Sequence, residues 1–223
     1  MTIAPTTVRW KVNNNPASLD TFERRYLSDL IGEKIGFDAP NASTQVSPKQ
    51  QPVPSPRASS LDLKIDPYSE KFQTSPNHSG RITPKFIVLH DSHGSHDGTR
   101  SWILQSRSNV SYHYLIDSNG NRTQFVGDTK RAWHAGKSYW KGITGLNSCS
   151  IGISFWGDTS KRTPSFEEID SCARKCIYLM RKFGIPRSGI ITHHMIAPKR
   201  KTDTAVGTYQ QVLSRIDELL NTV

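Results

Sequence analysis

From residue 84 onward, short apolar runs alternate with turn residues and polar stretches. Apolar runs of this length, bounded by polar residues, indicate buried strands. A longer segment, SYHYLIDSNGNRTQFVG (111–127), has two apolar halves on either side of Asn119-Gly120, and this dipeptide is typical of a tight hairpin turn. The three apolar runs are PKFIVLHDS (84–92), SIGISFW (150–156) and GIITHHMI (189–196).

Two amphipathic stretches alternate with these predicted strands. The first runs from Ser165 to Phe183, repeats apolar residues on one face and ends at Gly184, a residue that often terminates helices. The second is TAVGTYQQVLSRIDELL (204–220). Strands and helices that alternate around a hairpin predict an α/β domain with a mixed central β-sheet flanked by helices.

The first 80 residues have a different pattern. Residues 18–35 carry apolar side chains at helical spacing and predict one amphipathic helix, whereas residues 41–60 are rich in Pro, Ser and Gln and predict a semi-extended linker. We therefore divide the chain into a helical, partly disordered N-terminal extension (1–40), a Pro/Ser-rich linker (41–80) and a folded domain (81–223).

The chain is basic, with 29 Lys and Arg residues against 19 Asp and Glu and a net charge of +10. Such a surface attracts nucleic acid, an anionic membrane face or an acidic cell-wall polymer, and charge alone does not choose among them. Three cysteines without paired C-x-x-C spacing argue against a disulfide scaffold. No apolar stretch follows the first positive charges or reaches about 18 residues, so we expect neither a secretory signal nor a membrane span.

Histidine is concentrated in the predicted domain, where seven of the eight lie at or after residue 90. His90 follows an apolar strand, His193 follows Gly-Ile-Ile-Thr, and Asp203 lies ten residues further on. Two imidazoles and one carboxylate leave the fourth position of a tetrahedral zinc ion open, which is the requirement of a catalytic site. A single histidine is more often structural, so the spacing alone does not establish a metal site.

The amino-acid sequence around these histidines resembles that of a known family. The segment HHMIAPKRKTD (193–203) closely resembles the zinc-binding and catalytic signature of the N-acetylmuramoyl-L-alanine amidases related to peptidoglycan recognition proteins. Three further segments resemble the same family in the same order along the chain: SYHYLID (111–117), RAWHAG (131–136) and SIGI (150–153). Four ordered matches make chance similarity an inadequate explanation, and they imply the mixed-sheet fold of that family.

The resemblance implies a metal site and an oxyanion-stabilising cation. His90, His193 and Asp203 match the ligands of Zn²⁺, and no organic cofactor is expected. Lys201 matches the lysine that stabilises negative charge developing on the substrate oxygen. His194 lies next to a matched ligand, but in an extended segment its side chain would point to the opposite face from that of His193.

The main departure from the family concerns the general base. Many bacterial members have a glutamate directly after S-I-G-I, where this chain has Ser154. A serine does not accept a proton as a carboxylate does. Short phage lysozymes of the family also lack the glutamate and have a catalytic tyrosine in a G-Y-H-F-like strand, which SYHY matches at Tyr112. We therefore assign Tyr112 a role in orienting the attacking water.

Two residues of RAWHAG are expected to contact substrate. Trp133 offers an apolar face for a sugar or peptide, and His134 offers an imidazole that can hydrogen-bond a substrate carbonyl. His93 and His96 lie in a Gly- and Ser-containing segment that we interpret as a loop at the rim, without a chemical role.

These residues together imply hydrolysis of the amide bond between the lactyl group of N-acetylmuramic acid and L-alanine in bacterial peptidoglycan. The absence of a predicted signal and the serine at position 154 favour a phage endolysin, made in the cytoplasm as a monomer and released to the wall through holin-type lesions. The alternatives are a cytosolic amidase for recycled muropeptides and a non-catalytic peptidoglycan-binding module, although such binders typically lose a zinc ligand. Nucleic-acid binding is supported by charge alone, and we expect neither it nor membrane insertion.

Overall fold

The computed structural model describes residues 66–221. Its strands are β1 (Glu70–Phe72), β2 (His78–Arg81), β3 (Phe86–Asp91), β4 (Tyr114–Ile116), β5 (Arg122–Gln124), β6 (Lys130–Ala132), β7 (Tyr139–Trp140), β8 (Ile143–Thr144), β9 (Ser150–Phe155) and β10 (Ile190–Thr192). Six of these strands form a central mixed sheet in the order β1-β5-β4-β9-β3-β10. The other four form two antiparallel pairs, β2-β6 and β7-β8.

The four strands β4, β9, β3 and β10 run parallel to one another. The two remaining strands, β1 and β5, are parallel to each other and antiparallel to these four. β4 and β5 form the hairpin that Asn119-Gly120 predicts, with Tyr114 opposite Gln124. Two interior strands, β3 and β9, are buried along almost their whole length. β3 begins with the continuous apolar run FIVL, as expected of a strand covered on both faces, whereas β9 (SIGISF) alternates small residues with apolar ones. The mixed sheet predicted from the sequence is confirmed.

Helices lie beside the sheet: α1 (His96–Ile103), α2 (Phe166–Phe183), α3 (His193–Ile196) and α4 (Val206–Asn221). The predicted helix from Ser165 is confirmed as α2. The Ser165 hydroxyl caps its first turn by accepting from the Glu168 backbone N–H, and Gly184 ends it in the left-handed conformation at φ +67°. Within residues 66–221, every helix is too short or too polar to cross a bilayer.

α1 and α2 lie on opposite faces of β4. Leu115 packs in a buried cluster with Ile103 of α1. Its neighbour Tyr114 faces the other way, and the Lys175 ammonium of α2 lies 4.6 Å from the centre of its ring. α2 also packs against α4, so the two long helices cover one face of the sheet and α1 covers part of the other.

Two local predictions differ from the structure. The segment after His90 was expected to be a loop, but it contains α1, which begins where the Ser95 hydroxyl accepts from the Gly98 backbone N–H. GIITHHMI was expected to be a strand throughout, but it is extended only to Thr192. The Thr192 hydroxyl accepts from the Met195 backbone N–H, which caps a helical turn and ends the strand.

The predicted boundary at residue 81 needs correction, because residues 66–80 belong to the folded domain. β1 pairs in parallel with β5, and β2 pairs with β6. Asn77 is buried, and its amide donates to the backbone oxygens of Ile103 and Gln105 at 3.1 and 2.9 Å. Hydrogen bonds rather than apolar side chains hold this segment against the domain. Its sequence is therefore similar to that of a linker. The predicted helix over 18–35 lies outside the described residues.

A charged network joins this segment to the sheet. The Arg122 side chain is 3% exposed, and its guanidinium donates to Glu70 at 2.8 Å and to Asp66. Lys175 of α2 forms an ion pair with the same Glu70 at 2.6 Å. A buried guanidinium needs partners for its charge, so β1 and α2 are tied together through Arg122 and Glu70.

We predict that the two possible N-terminal truncations behave differently. A chain that begins at residue 61 retains both carboxylates that pair with Arg122 and should unfold with the same free energy as the full chain. A chain that begins at residue 82 lacks both carboxylates together with strands β1 and β2, and the loss of the Arg122 ion pairs alone should cost about 3–5 kcal/mol. Urea unfolding of both chains measures the difference, and equal midpoints would contradict the extended boundary.

Candidate metal centre

The pairing of β3 with β10 brings two histidines to one end of the sheet. The strands are parallel neighbours, with Thr192 opposite Leu89. His90 follows Leu89, and His193 follows Thr192, so both imidazoles leave the sheet at the same end. The side chains of both residues are buried.

His90, His193 and Asp203 form a compact cluster, as the sequence predicts. The Nδ1 atoms of the two histidines are 3.0 Å apart. Oδ2 of Asp203 lies 3.1 Å from Nδ1 of His193 and 3.4 Å from Nδ1 of His90. Three ligand atoms at about 2.0–2.2 Å from a tetrahedral zinc ion lie roughly 3.3 Å from one another, so this triangle has the dimensions of a zinc site.

Backbone contacts hold Asp203 in place. The Asp91 N–H donates to its Oδ2 at 3.3 Å, and the His194 N–H donates to its backbone oxygen at 2.5 Å. Its other carboxylate oxygen, Oδ1, is buried and has no hydrogen-bond partner among the described residues. Burial alone would raise the pKa of Asp203, but its contacts with His193 and His90 outweigh burial and keep the pKa well below the usual range. The group is therefore an anion with a free lone pair.

The imidazoles are suited to bind a cation. Burial, followed by the nearby His193, lowers the pKa of His90 to about 4, so its ring is neutral near pH 7. The outer nitrogen of each ring has its own partner: Nε2 of His90 lies 2.9 Å from His134 Nδ1, and Nε2 of His193 lies 3.2 Å from the Ala135 oxygen. If each ring carries its only proton on the outer nitrogen, the tautomer that binds a metal, three acceptor atoms face one another. That arrangement is repulsive unless a proton or a metal cation lies among them, and a donor set of two imidazoles and one carboxylate fits zinc.

His134 contacts the outer nitrogen of His90, on the side of the ring that faces away from His193 and Asp203. Its Nδ1 contacts His90, and its Nε2 lies 3.3 Å from the Ser150 backbone oxygen. The residue is buried, at 7% exposure. The prediction that His134 binds substrate stays untested, and in this arrangement such a contact would break one of these two hydrogen bonds.

Tyr112 lies next to the cluster. Its ring centre is 5.2 Å from that of His90, and its hydroxyl donates to the Asp91 oxygen at 3.4 Å. Burial, and after it the negative charge of Asp203, raises the pKa of Tyr112, whereas a hydrogen bond with Ser154 opposes that rise. Ser154 is fully buried on β9, directly opposite His90 of β3. Tyr112 and Ser154 therefore meet where the sequence predicts a replacement for glutamate.

The two other predicted site residues are partly exposed. Lys201 precedes Asp203 by two residues, and its positive charge is close enough to contribute to the lowered pKa of His90, after burial and His193. Trp133 is half-buried, and its indole N–H donates to the Ser79 hydroxyl at 3.3 Å. The structure thus brings Lys201 to the region of the cluster and ties Trp133 to β2.

The remaining histidines of the domain lie outside the ligand triangle. His194 contacts the Lys201 backbone oxygen at 2.6 Å through Nδ1. The prediction that only one of the two adjacent histidines joins the cluster fits the geometry, but a helical turn, not an extended strand, separates their side chains. His93 lies near Asp158, and His96 near Asp97.

A buried carboxylate beside the cluster, that of Asp91, is not among the predicted site residues. Asp91 accepts from the hydroxyl of Thr159 at 2.7 Å and from that of Thr204 at 3.1 Å. Thr204 follows the ligand Asp203, so Asp91 fixes the loop that carries the ligand. The available signal was position alone: Asp91 follows a predicted ligand, and a polar residue at a buried strand end needs partners.

Comparison with known proteins agrees with this geometry. The family model described as N-acetylmuramoyl-L-alanine amidase matches residues 80–205, which is more than half of the chain. The chain is 31% identical over 134 residues to the N-acetylmuramoyl-L-alanine amidase AmiD of Escherichia coli, covering 53% of this chain and 48% of that protein. It is 36% identical over 107 residues to the 1,6-anhydro-N-acetylmuramyl-L-alanine amidase AmpD of Haemophilus influenzae, covering 45% and 54%.

Solved structures share the fold. A selenomethionine derivative of AmpD superposes with a TM-score of 0.57 at 24% identity, covering 71% of this chain and 97% of that one. A mutant endolysin from Bacillus subtilis gives 0.55 at 17% identity, covering 67% and 99%. The matched region spans about half the length of the two curated relatives. From the match over residues 80–205, the chain belongs to the N-acetylmuramoyl-L-alanine amidase family.

Proposed function

We propose that this chain is a zinc-dependent amidase that hydrolyses the bond between the lactyl group of N-acetylmuramic acid and L-alanine in peptidoglycan. The observation that carries the proposal is the buried triangle of His90, His193 and Asp203, whose three facing acceptor atoms leave one coordination position for substrate or water. Family membership and the printed names of the relatives support the same bond.

His90, His193 and Asp203 would hold the metal. Zinc in such a site supplies Lewis acidity, which polarises a carbonyl and makes water a stronger nucleophile at neutral pH. The chain's part is to keep His90 neutral, as its burial does, and to keep Asp203 ionised, as its contacts with His193 and His90 do.

Lys201 is the proposed oxyanion stabiliser. Attack on the amide carbon places negative charge on the carbonyl oxygen, and a cation held nearby lowers the energy of that state more than that of the substrate. The backbone of Lys201 is fixed on both sides, because its N–H donates to the Ala197 oxygen and its own oxygen contacts His194. The long side chain then starts from a rigid position.

Tyr112 is proposed to orient the attacking water as a hydrogen-bond donor. Because its pKa is raised, the phenol keeps its proton near pH 7 and does not act as a base. To donate to a water molecule near the cluster, its hydroxyl would exchange the long 3.4 Å hydrogen bond to the Asp91 oxygen for one to the water. The hydrogen bond with Ser154 would keep the phenol oxygen in place. Trp133 is proposed to offer its half-exposed ring as an apolar face to the sugar or peptide.

The first prediction from the proposed function concerns the metal and the bond cleaved. Purified protein should contain one zinc per chain, release stem peptides that begin with L-alanine, and lose this activity on chelation. Asp203→Ala removes an anionic ligand and should abolish zinc retention, whereas His194→Ala removes a neighbouring imidazole and should retain zinc. Metal analysis and mass spectrometry of the digest measure both effects. Full activity without metal would refute zinc dependence, and zinc-loaded protein that binds the wall without cutting it would indicate a binding module.

The second prediction concerns Tyr112. Tyr112→Phe deletes the hydroxyl and keeps the ring, so turnover should fall by about 10²–10⁴ with zinc still bound. Tyr209→Phe is a matched control, because it deletes a buried hydroxyl that donates to the Ile190 oxygen at 2.9 Å outside the cluster. That control should lose only about 0.5–1.5 kcal/mol of stability. Normal turnover in Tyr112→Phe would remove the tyrosine from the mechanism.

The natural substrate is either the intact wall or a small muropeptide. We propose the wall, and with it the role of a phage endolysin, because a net charge of +10 attracts an anionic polymer and does little for a small soluble substrate. Ser154 in place of glutamate supports the same choice. Recycled anhydro-muropeptide is the second candidate, because the name printed for the AmpD relative specifies that compound.

The third prediction separates these substrates. Insoluble sacculi and soluble anhydro-muropeptide, supplied at equal amide concentration, should be cleaved at different rates, with the sacculi faster. Raising the salt concentration should slow cleavage of the sacculi and leave the muropeptide rate unchanged, since salt screens attraction to the polymer. A faster, salt-independent rate on the muropeptide would favour the recycling role instead.

A further inference from the structure

We propose that His134 is a positioning residue that orients the imidazole of His90 and fixes which of its nitrogens faces the metal. The proposal rests on the proposed zinc site and deepens it. It gives His134 a role behind the cluster instead of a direct contact with substrate.

A short chain of hydrogen bonds runs from the Ser150 backbone oxygen through the His134 ring to His90, and the first acceptor determines the donor of each bond. A backbone carbonyl can only accept, so the Ser150 oxygen, 3.3 Å from His134 Nε2, requires a proton on that nitrogen. The Ser150 hydroxyl, 3.4 Å from the same nitrogen, donates to the Leu146 oxygen at 2.6 Å and has no second proton to offer. His134 Nε2 is therefore the donor.

The proton on His134 Nε2 then determines which nitrogen of His90 carries a proton. With its proton on Nε2, neutral His134 has an acceptor at Nδ1. His90 Nε2 lies 2.9 Å away and must be the donor in that contact. Neutral His90 then carries no proton on Nδ1, which is the atom that faces His193 and Asp203. One carbonyl thus selects, through His134, the tautomer that a metal requires.

The surrounding backbone holds the His134 ring in this position. The Asn147 side-chain oxygen accepts from the backbone N–H groups of His134 and Ala135, at 3.0 and 2.7 Å. The ring lies on Gly152 of β9, where an added Cβ would stand 2.6 Å from His134 Cγ. Only a residue without a side chain allows so close an approach.

The two histidine ligands are consequently oriented by adjacent residues. The Ala135 oxygen accepts from His193 Nε2 directly at 3.2 Å, whereas His90 is oriented through the His134 ring. Partners of this kind around a metal ligand commonly change metal affinity by about 10- to 100-fold when they are removed.

The test uses His134→Phe, which keeps a ring and removes the acceptor. The zinc dissociation constant, measured by competition with a chelator, should rise about 10- to 100-fold. His113→Phe is the matched control. His113 is also buried with both nitrogens bonded, to the Gly152 N–H and the Lys130 oxygen, but forms no hydrogen bond with a ligand. It should lose stability without a comparable loss of zinc affinity.

A second readout does not need the metal. Nitrogen-15 NMR of the imidazoles in metal-free protein should show the His90 proton on Nε2 in the unaltered chain and a mixture of tautomers in His134→Phe. Gly152→Ala supplies a further variant, since it displaces the ring without changing a hydrogen-bonding group and should also weaken zinc binding. His134→Gln, whose amide can accept from His90 and donate to Ser150, should restore part of the affinity.

The outcomes separate this proposal from the proposed function. Unchanged zinc affinity and an unchanged His90 tautomer in His134→Phe would overturn the positioning role, whatever the enzyme does. Weakened zinc binding in that variant, together with an unaltered chain that binds zinc but cleaves no peptidoglycan, would support the positioning role and refute the amidase proposal. An unaltered chain whose His90 proton lies on Nδ1 would overturn the positioning role alone.

Discussion

The parallel pairing of β3 with β10 sets the position of everything at the candidate site. Because Thr192 lies opposite Leu89, the next residue of each strand is a histidine, and both rings emerge at the same end of a buried sheet. A shift of one residue in this register would turn one ring to the other face. The apolar runs that make these strands pack therefore also bring the two candidate histidine ligands together.

Burial of this end of the sheet has a second effect. Away from water, neutral imidazoles are favoured and each ring nitrogen needs a defined partner. On the outer side, the Ala135 backbone oxygen supplies that partner for His193, and His134 supplies it for His90. The ionised Asp203 completes the inner side. The chain alone therefore assembles much of the electrostatic environment that a divalent cation requires, and little reorganisation should accompany binding.

The sequence predicts those parts of the molecule whose order depends on apolar side chains or on a local motif. β3 is a continuous apolar run, β9 and α2 have clear periodicity, and the HHMIAPKRKTD segment contains two of the three candidate ligands. Residues 66–80 escape prediction, because Asn77 and Arg122 bury them through polar contacts between distant segments. Asp91 escapes for the same reason: its partners Thr159 and Thr204 are 68 and 113 residues away.

The loop that carries Asp203 makes the position of this carboxylate independent of the side chain at position 201. Its backbone is pinned at Lys201 by Ala197 and His194, and at Thr204 by Asp91, so the ligand keeps its place independently of the side chain at position 201. In the proposed enzyme, a substitution of that one side chain would therefore remove the oxyanion stabiliser and leave the candidate metal ligands in place. On this proposal, a wall-cutting enzyme and a metal-binding wall receptor differ by the side chain of one residue.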